Sequence, residues 1–213
     1  MHTSSRAAHS PAYFLWLTLI VVVVLVMLTA VANGQQGGTA SGQIQDEPVS
    51  PTNFPTVFTR IIGTDAWRGN IGGLRNVGSG TIGINGVNGT VTRAYLYWHG
   101  VTNSYDPYAN NSVRVNGFTI FGNAIGTSYD NSWSYNVSQA YHADVTHLVG
   151  TSPNKSYLLS NFGSGTFNPN GAFLVIFYND SNSANDYDVT ILNGNDSNGA
   201  SAYDPSGWDA NLA

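Results

Sequence analysis

The chain has 213 residues, no cysteine and a net charge of −5 at pH 7, so disulfides, thiolate metal sites and a cysteine nucleophile are excluded. Acidic residues outnumber basic ones by 12 to 7, and a surface of that sign repels phosphates, which argues against nucleic acid as a partner. Only 9% of the residues are charged, against about 25% in average domains, so Asn, Ser, Thr and Gly must keep the protein soluble.

Residues 1–32 have the pattern of an export signal with an apolar helix. Arg6 precedes an uncharged run from Ala12 to Ala32, and the run ends in Ala30-Val31-Ala32, a small-x-small pattern that signal peptidase accepts. Cleavage after Ala32 is the favoured prediction. The alternative is an uncleaved membrane anchor, because the 21 apolar residues can also cross about 30 Å of hydrocarbon. In both cases only this segment meets a membrane, and the rest of the chain lies outside the cell.

Residues 33–55 are predicted to form a flexible linker, because Gly, Gln, Ser, Thr and Pro dominate and the only charges are Asp46 and Glu47. From residue 56 to residue 213, short apolar segments alternate with clusters of Gly, Asn, Asp, Ser and Pro. No amphipathic helix of useful length interrupts them. This pattern predicts one all-β domain, an antiparallel β-sandwich of the jelly-roll kind.

The clearest predicted strand is Thr90–His99, where large apolar side chains alternate on both faces. Ser112–Phe121 is predicted to be a hairpin that turns at Asn116-Gly117, the strongest two-residue turn signal. The continuous apolar run of Ala172–Tyr178 is typical of a central strand that is covered on both sides. Two further strands are predicted at Tyr157–Phe162 and Asp188–Leu192.

The last residues resemble a strand that has just begun, since Trp208, Ala210 and Leu212 alternate with polar neighbours. No cap or stop signal follows them. We therefore expect the β domain, residues 56–213, to be truncated at its C-terminus and to lack at least one strand. A function carried by a downstream module, such as the rest of a larger secreted enzyme, would then be invisible in this sequence.

Four segments of the domain carry a family resemblance: Arg93–Gly100, Gln139–Val149, Asn170–Tyr178 and Asn193–Asn198. Taken in order, they resemble an uncharacterised β-sandwich domain of secreted bacterial and archaeal surface proteins, a domain of unknown function. The resemblance covers about residues 57 to 213. In that family the domain usually precedes surface repeats or a sorting segment, and no catalytic residue is assigned. The resemblance therefore implies an extracellular location and a structural or adhesive role.

Acidic loops flank the last complete predicted strand, and they are rich in the oxygen ligands that calcium prefers. The candidate calcium ligands are Asp180, Asp186, Asp188 and Asp196. Their spacing fits no EF-hand loop, and Asx-rich turns also form for local reasons, because their side chains bond their own backbone. A calcium site and plain turns are therefore alternatives, and calcium is the only cofactor that the sequence indicates.

The sequence shows no complete catalytic set. Gly78–Gly83 matches the dinucleotide fingerprint in its letters, but a Gly-rich strand and turn follows where that motif needs a helix. No Gly-x-Ser-x-Gly elbow supplies a nucleophilic serine that His99 could activate. His142 and His147 have no third residue in the sequence that would complete a zinc site. The only glutamate, Glu47, lies in the linker, so no carboxylate pair for glycoside hydrolysis is singled out. The domain is therefore predicted not to be an enzyme.

Several aromatic residues lie in Asn-rich, loop-like contexts, where rings can stack on sugars while Asn and Asp bond the hydroxyls. They are Trp67, Tyr105, Tyr108, Tyr129, Trp133 and Tyr135. Aromatic residues at strand ends also close cores, so this pattern has a structural interpretation as well.

The leading prediction is an exported, non-enzymatic β-sandwich module with a structural or adhesive role, secreted or held at the cell surface, whose partner is a surface glycan or protein. The alternatives are a carbohydrate-binding module and the N-terminal part of a larger secreted enzyme.

Six Asn-x-Ser/Thr sequons occur in the domain, at Asn88, Asn110, Asn136, Asn154, Asn179 and Asn195. Many such sequons arise by chance in a chain this rich in Asn and Ser. They are glycosylated only in a host that has the machinery, and from the sequence they indicate a polar surface.

Overall fold

The computed structural model describes residues 56–128, 135–163 and 165–195, so the export segment, the linker and the strand predicted near Trp208 lie outside the described residues. Within those ranges the chain forms ten strands and one short helix, which confirms the all-β class. The elements are β1 (Thr56–Gly72), β2 (Ser79–Gly83), β3 (Thr90–Thr102), β4 (Ser112–Val115), β5 (Phe118–Phe121), β6 (Asn123–Ser128), β7 (Val137–Asp144), α1 (Thr146–Val149), β8 (Ser156–Ser160), β9 (Asn168–Asn179) and β10 (Tyr187–Asn193).

The strands form two antiparallel sheets, with hydrogen-bonded orders β10-β1-β9-β3-β7-β6 and β2-β8-β4-β5. The predicted hairpin is confirmed, because β4 pairs with β5 across Asn116 and Gly117. Both turn residues have positive φ angles, 49° and 86°, as a two-residue hairpin turn requires. From β5 the chain passes into the other sheet through Gly122 alone, where a Cβ atom would overlap the Trp98 ring.

The central strands β3 and β9 bury both of their faces, as their apolar patterns predict. One face packs with side chains of the four-stranded sheet, including Val113 and Leu159, in the first core. The residues that β3 and β9 contribute to this core are Ala94, Leu96, Trp98, Ala172, Leu174 and Ile176. The alternate residues form a second core on the opposite face. They are Tyr95, Tyr97, Phe173, Val175 and Phe177.

The second core is covered by a two-stranded ribbon made of residues 56–64 and β10. The 17-residue strand β1 changes partner along its length, since it pairs with β10 up to Thr64 and with β9 from Asp65 onward. Gly63, with a φ of 59°, lies in the register shift between Ile61 and Thr64 of the pairing with β10, just before β1 changes partner. We call the paired segment 56–64 and β10 the β1–β10 ribbon.

Contacts across the outer face locate this ribbon over three strands of the sheet. The ring of Phe58 lies 5.2 Å from that of Tyr95 on β3 and 4.4 Å from that of His142 on β7. The Tyr97 hydroxyl donates a 3.0 Å hydrogen bond to Asn193 Oδ1 at the end of β10. The side chains of Ile61, Val189 and Ile191 complete the second core. The ribbon therefore forms a third layer, which the sequence patterns did not predict.

Substitutions on the two faces of β9 test whether both cores carry stability. Leu174→Ala removes a side chain from the first core and Phe173→Ala one from the second. We expect the free energy of unfolding to fall by about 2–5 kcal/mol for Leu174→Ala and about 3–5 kcal/mol for Phe173→Ala. Denaturant titration measures both. Leu158→Ala, at a half-exposed position on β8, is the control and should change stability by less than about 1 kcal/mol. A negligible effect of Phe173→Ala would contradict the covered outer face.

Candidate functional site

The loop between β3 and β4, residues 103–111, is fixed to the sheet by one buried amide. Gln139 on β7 donates through Nε2 to the carbonyl oxygens of Ser104 and Asp106, at 3.0 and 3.1 Å. Its Oε1 accepts hydrogen bonds from the Tyr141 hydroxyl at 2.8 Å and from Asn110 Nδ2 at 2.7 Å. Because all these groups are held by one side chain, the loop backbone has a defined conformation before any ligand arrives.

Two tyrosine rings project from this fixed loop. Tyr105 is 61% exposed and Tyr108 is 74% exposed. Local side-chain bonds shape the backbone between them, since Ser104 Oγ accepts from the Asp106 amide and Asp106 Oδ1 accepts from the Tyr108 amide at 2.9 Å. The loop therefore presents an aromatic surface beside one carboxylate, and we call residues 103–111 the tyrosine loop.

The other aromatic residues of the predicted sugar-binding set do not join this surface in the described structure. Trp67 is half-buried, packs against the first core and covers Gly69, where a Cβ atom would overlap its ring. Tyr135 is half-buried, and its hydroxyl accepts a 3.1 Å hydrogen bond from Asn168. Tyr129 and Trp133 lie outside the described residues. The structural interpretation therefore applies to Trp67, and the exposed rings are Tyr105 and Tyr108.

Two of the predicted calcium ligands, Asp180 and Asp186, lie near an acid that the sequence analysis missed. Asp65, which is only 4% exposed, accepts from the Asp180 amide at 3.2 Å through Oδ2 and from Asn185 Nδ2 at 2.7 Å through Oδ1. The same Asn185 nitrogen lies 3.5 Å from Asp180 Oδ2, so one amide bridges two carboxylates. Asp186 lies beside Gly63 in this cluster.

Of the remaining predicted ligands, only Asp188 lies within the described residues. Asp188 bonds Arg60 at 3.3 Å and accepts from the Gly63 amide at 3.1 Å, which ties the ribbon together. Asp196 lies outside the described residues. Within residues 56–128, 135–163 and 165–195, no group of three or more His, Asp or Glu side chains is arranged to hold a metal ion. Calcium binding therefore stays a prediction.

The electrostatics of this cluster disfavour a charged Asp65. Burial raises the pKa of its carboxyl group above the ordinary value, the Asp180 amide lowers it, and the negative charges of Asp180 and Asp186 raise it again. Asp65 was missed because it is 115 residues from Asp180 in the chain, and only the pairing of β1 with β9 brings them together.

His99 is buried at the other end of β3, in a cluster with two polar partners. Its Nδ1 lies 3.0 Å from Asn170 Nδ2, so Nδ1 accepts and the ring proton is assigned to Nε2. Asn170 Oδ1 in turn accepts from Arg75, at 2.6 Å from its terminal nitrogen. Burial, and to a smaller extent the charge of Arg75, lowers the pKa of His99 to about 4. At neutral pH this histidine is therefore uncharged and bonded to an amide.

His142 and His147 lie on different elements, β7 and α1. His142 is buried under Phe58, and burial lowers its pKa. In the described part of the chain, His142 Nδ1 and His99 Nε2 are buried without a hydrogen-bond partner. Protonation of either ring would place a charge at a buried position.

A small apolar cavity lies in the first core, between the two sheets and beside α1. It has room for about one water molecule. Its lining includes Ile82, Leu96, Leu148 and Leu174. The cavity is far smaller than the pockets of about 300–1,000 Å³ that hold small ligands, so we attribute no binding role to it.

Comparison of the chain with protein-family models, with curated proteins and with solved structures found no match. Among the residues that the structure describes, no helix is long and apolar enough to cross a membrane. The family resemblance given above therefore remains a prediction from its sequence segments, and the arguments about function depend on the geometry of this chain.

The buried histidines predict a loss of stability on acidification. The folded pKa of His99, about 4, lies below its ordinary value of 6.5, so the unfolded chain takes up the proton first. The free energy of unfolding should therefore fall as the pH drops from about 6.5 to about 4, by up to about 3 kcal/mol from His99. His142 acts in the same direction, whereas the raised pKa of Asp65 acts in the opposite one.

Urea titrations across this pH range measure the effect, with Asp65→Asn as the common background that removes the opposing group. Comparison of that variant with Asp65→Asn/His99→Gln isolates His99. We expect a shallower pH dependence in the double variant, whatever its stability at neutral pH. Equal slopes in the two proteins would show that His99 is not the titrating group.

The acidic cluster gives a prediction whose sign depends on calcium. In calcium-free buffer, Asp65→Asn should raise the unfolding temperature, because it removes a buried charge that two neighbouring carboxylates repel. If the calcium prediction is correct, calcium should raise the unfolding temperature of the wild-type protein, and Asp65→Asn should abolish that rise. Asp106→Asn, in the tyrosine loop, removes an exposed acid that is not a predicted calcium ligand, and it is the control for loss of an acid. A wild-type unfolding temperature that is the same in calcium and in chelator would exclude calcium binding.

Proposed function

We propose that this chain is an exported, non-enzymatic β-sandwich module with a structural or adhesive role, secreted or held at the cell surface. The main support for the proposal is that the buried polar side chains form hydrogen bonds within the fold. Gln139 holds a loop, His99 is bonded to Asn170, and Tyr97 fastens the ribbon through Asn193. Within the part of the chain that the structure describes, these groups hold neighbouring strands, a loop and the ribbon in place rather than converge on an open pocket, which favours a mechanical or binding role over chemistry.

Two further features support this proposal. The two sheets share the first core, the arrangement expected of a β-sandwich. The N-terminal segment and the Gly-rich linker would place such a module outside the cell, and a surface dominated by uncharged polar residues suits a solvent-exposed extracellular protein.

The location and the activity can be tested in cells that express the full chain. Protease added to intact cells should remove the β domain or cleave the linker, and sequencing of the mature N-terminus should give Asn33 if the signal is released. Beads coated with the purified protein should be retained on cell or matrix surfaces under flow. A cytoplasmic domain, or a clear hydrolase activity of the pure protein, would contradict the proposal.

The tyrosine loop favours carbohydrate binding as a second candidate function. Its rings are exposed while its backbone is held by Gln139, and a surface that is already ordered loses little conformational entropy on binding. The tyrosine faces suit the apolar face of a sugar ring, and Asp106 and the neighbouring Asn103 can bond hydroxyl groups. The negative net charge of the chain favours a neutral glycan over a sulfated or carboxylated one.

Alanine substitutions in the tyrosine loop test this candidate. Each of Tyr105→Ala and Tyr108→Ala should weaken binding to neutral polysaccharides by about 1 kcal/mol, roughly fivefold in affinity, because each removes one stacking surface. Affinity electrophoresis in polysaccharide-containing gels measures the change. Phe121→Ala removes an equally exposed ring from β5 and should have no effect. No retardation of the wild-type protein by any neutral polysaccharide would exclude this candidate.

A further inference from the structure

The structure divides the six sequons into two groups that the sequence cannot distinguish. The asparagines at 88, 136, 154 and 179 are exposed. In contrast, Asn110 is 0% exposed and Asn195 is 4% exposed. The interpretation of the sequons as a polar surface therefore fails for these two positions, and their side-chain nitrogens have structural tasks.

Asn110 belongs to the tyrosine loop and bonds residues of β3 and β7. Its Nδ2 donates to Gln139 Oε1 at 2.7 Å and to Thr102 Oγ1 at 3.4 Å. Its backbone carbonyl accepts from the Trp98 indole nitrogen. Gly163 is packed against the same side chain, since a Cβ atom there would lie 2.8 Å from Asn110 Oδ1. A sugar on Nδ2 would thus have to occupy the space of Gln139 and Thr102, which the folded protein does not leave open.

Asn195 has a similar position beneath the end of the β1–β10 ribbon. Its Nδ2 donates to Ser138 Oγ at 3.0 Å and to the Ser138 carbonyl oxygen at 3.3 Å. On the other side it meets β6, where a Cβ atom on Gly126 would lie 2.8 Å from the Asn195 Cβ. A glycan at this nitrogen would separate the ribbon from β7 and open the second core.

Asn88 and Asn179 are free of this constraint and lie close together. Asn88 lies in the loop before β3, and the next residue, Gly89, touches the Asn179 backbone. Thr90, the hydroxyl residue of the first sequon, pairs with Asn179 in the β3–β9 ladder. Both side chains are exposed at one end of the sheet, so a large polar substituent on either would extend into solvent.

We propose that this fold accepts an N-linked oligosaccharide at Asn88 and Asn179, and that it requires unmodified amides at Asn110 and Asn195. In the transfer, Nδ2 forms a bond to the anomeric carbon of a lipid-linked oligosaccharide, the bond from that carbon to the lipid pyrophosphate breaks, and one amide proton is lost to a base. A glycan added to either of these amides before folding would block the packing of the core beside it.

Expression of the full chain in a eukaryotic secretory host tests this proposal. Glycopeptide mass spectrometry should find glycans at Asn88 and Asn179 in the secreted, folded protein and none at Asn110 or Asn195. Chains glycosylated at the buried positions should be found only in the retained, unfolded fraction. Ser112→Ala together with Ser197→Ala removes the two buried sequons and should raise the secreted yield several-fold. Thr90→Ala, which removes the exposed sequon at Asn88, is the matched control and should not raise it.

A second measurement separates glycosylation from an effect of the substitutions on folding. The same variants made in a bacterial cytoplasm, without glycosylation, should unfold at the same denaturant concentration as the wild-type chain. Two results would overturn the proposal: a folded, secreted protein that carries a glycan at Asn110 or Asn195, or a folded secreted protein that is unmodified at both Asn88 and Asn179.

Discussion

The structure depends on one constraint, that the central strands β3 and β9 have no polar face. Their alternate residues supply two separate cores, and a sheet with two apolar faces is stable in water only if both faces are covered. The four-stranded sheet covers one face and the β1–β10 ribbon the other. Burial of a side chain such as Phe173 or Phe177 contributes about 1.5–3 kcal/mol to stability. Loss of the ribbon would expose these side chains to water and so remove much of the free energy that stabilises the fold.

Covering both faces also fixes the role of the polar side chains on these strands. A buried hydroxyl, amide or imidazole without a partner costs about 1–3 kcal/mol, so hydrogen bonds within the protein are strongly favoured for such groups. Tyr97 finds one at Asn193, His99 at Asn170, and Gln139 at the tyrosine loop. These three side chains thereby fasten the ribbon, a pair of neighbouring strands and a loop. On the loops that the structure describes, Tyr105 and Tyr108 are the aromatic side chains with the largest exposed fractions.

Local sequence patterns were sufficient to predict the strands and the turn that are determined by neighbouring residues. The β3 alternation, the β9 apolar run and the Asn116-Gly117 turn are each contained in about ten residues, and all three were found from the sequence. Strand β1 was not found, because Gly63 and Gly69 and several charges break any simple period in it. Its conformation depends on β9 and β10, more than 100 residues away.

The residues of the candidate sites also fall into two groups, those that the local sequence could predict and those that depend on distant parts of the chain. The exposed tyrosines could be proposed from their polar, loop-like context, but burial of Trp67 depends on how β1 packs on the first core. Asp65 gave only one weak signal, which is that an acid directly precedes the apolar residues Ala66 and Trp67. Nothing in the sequence linked it to Asp180. The sequon at Asn110 gave no signal of burial at all, since its partner Gln139 lies 29 residues further along the chain.

The joint between ribbon and sheet is also where charge collects, in a chain with only 9% charged residues. Asp65 marks the point at which β1 exchanges β10 for β9, and Asp180 and Asp186 belong to the loop that connects those two partners. Repulsion among these carboxylates opposes closure of the joint, whereas Asn185 and the Arg60–Asp188 pair favour it. Ionic conditions therefore act on the ribbon at this joint and, through the ribbon, on the second core that it covers.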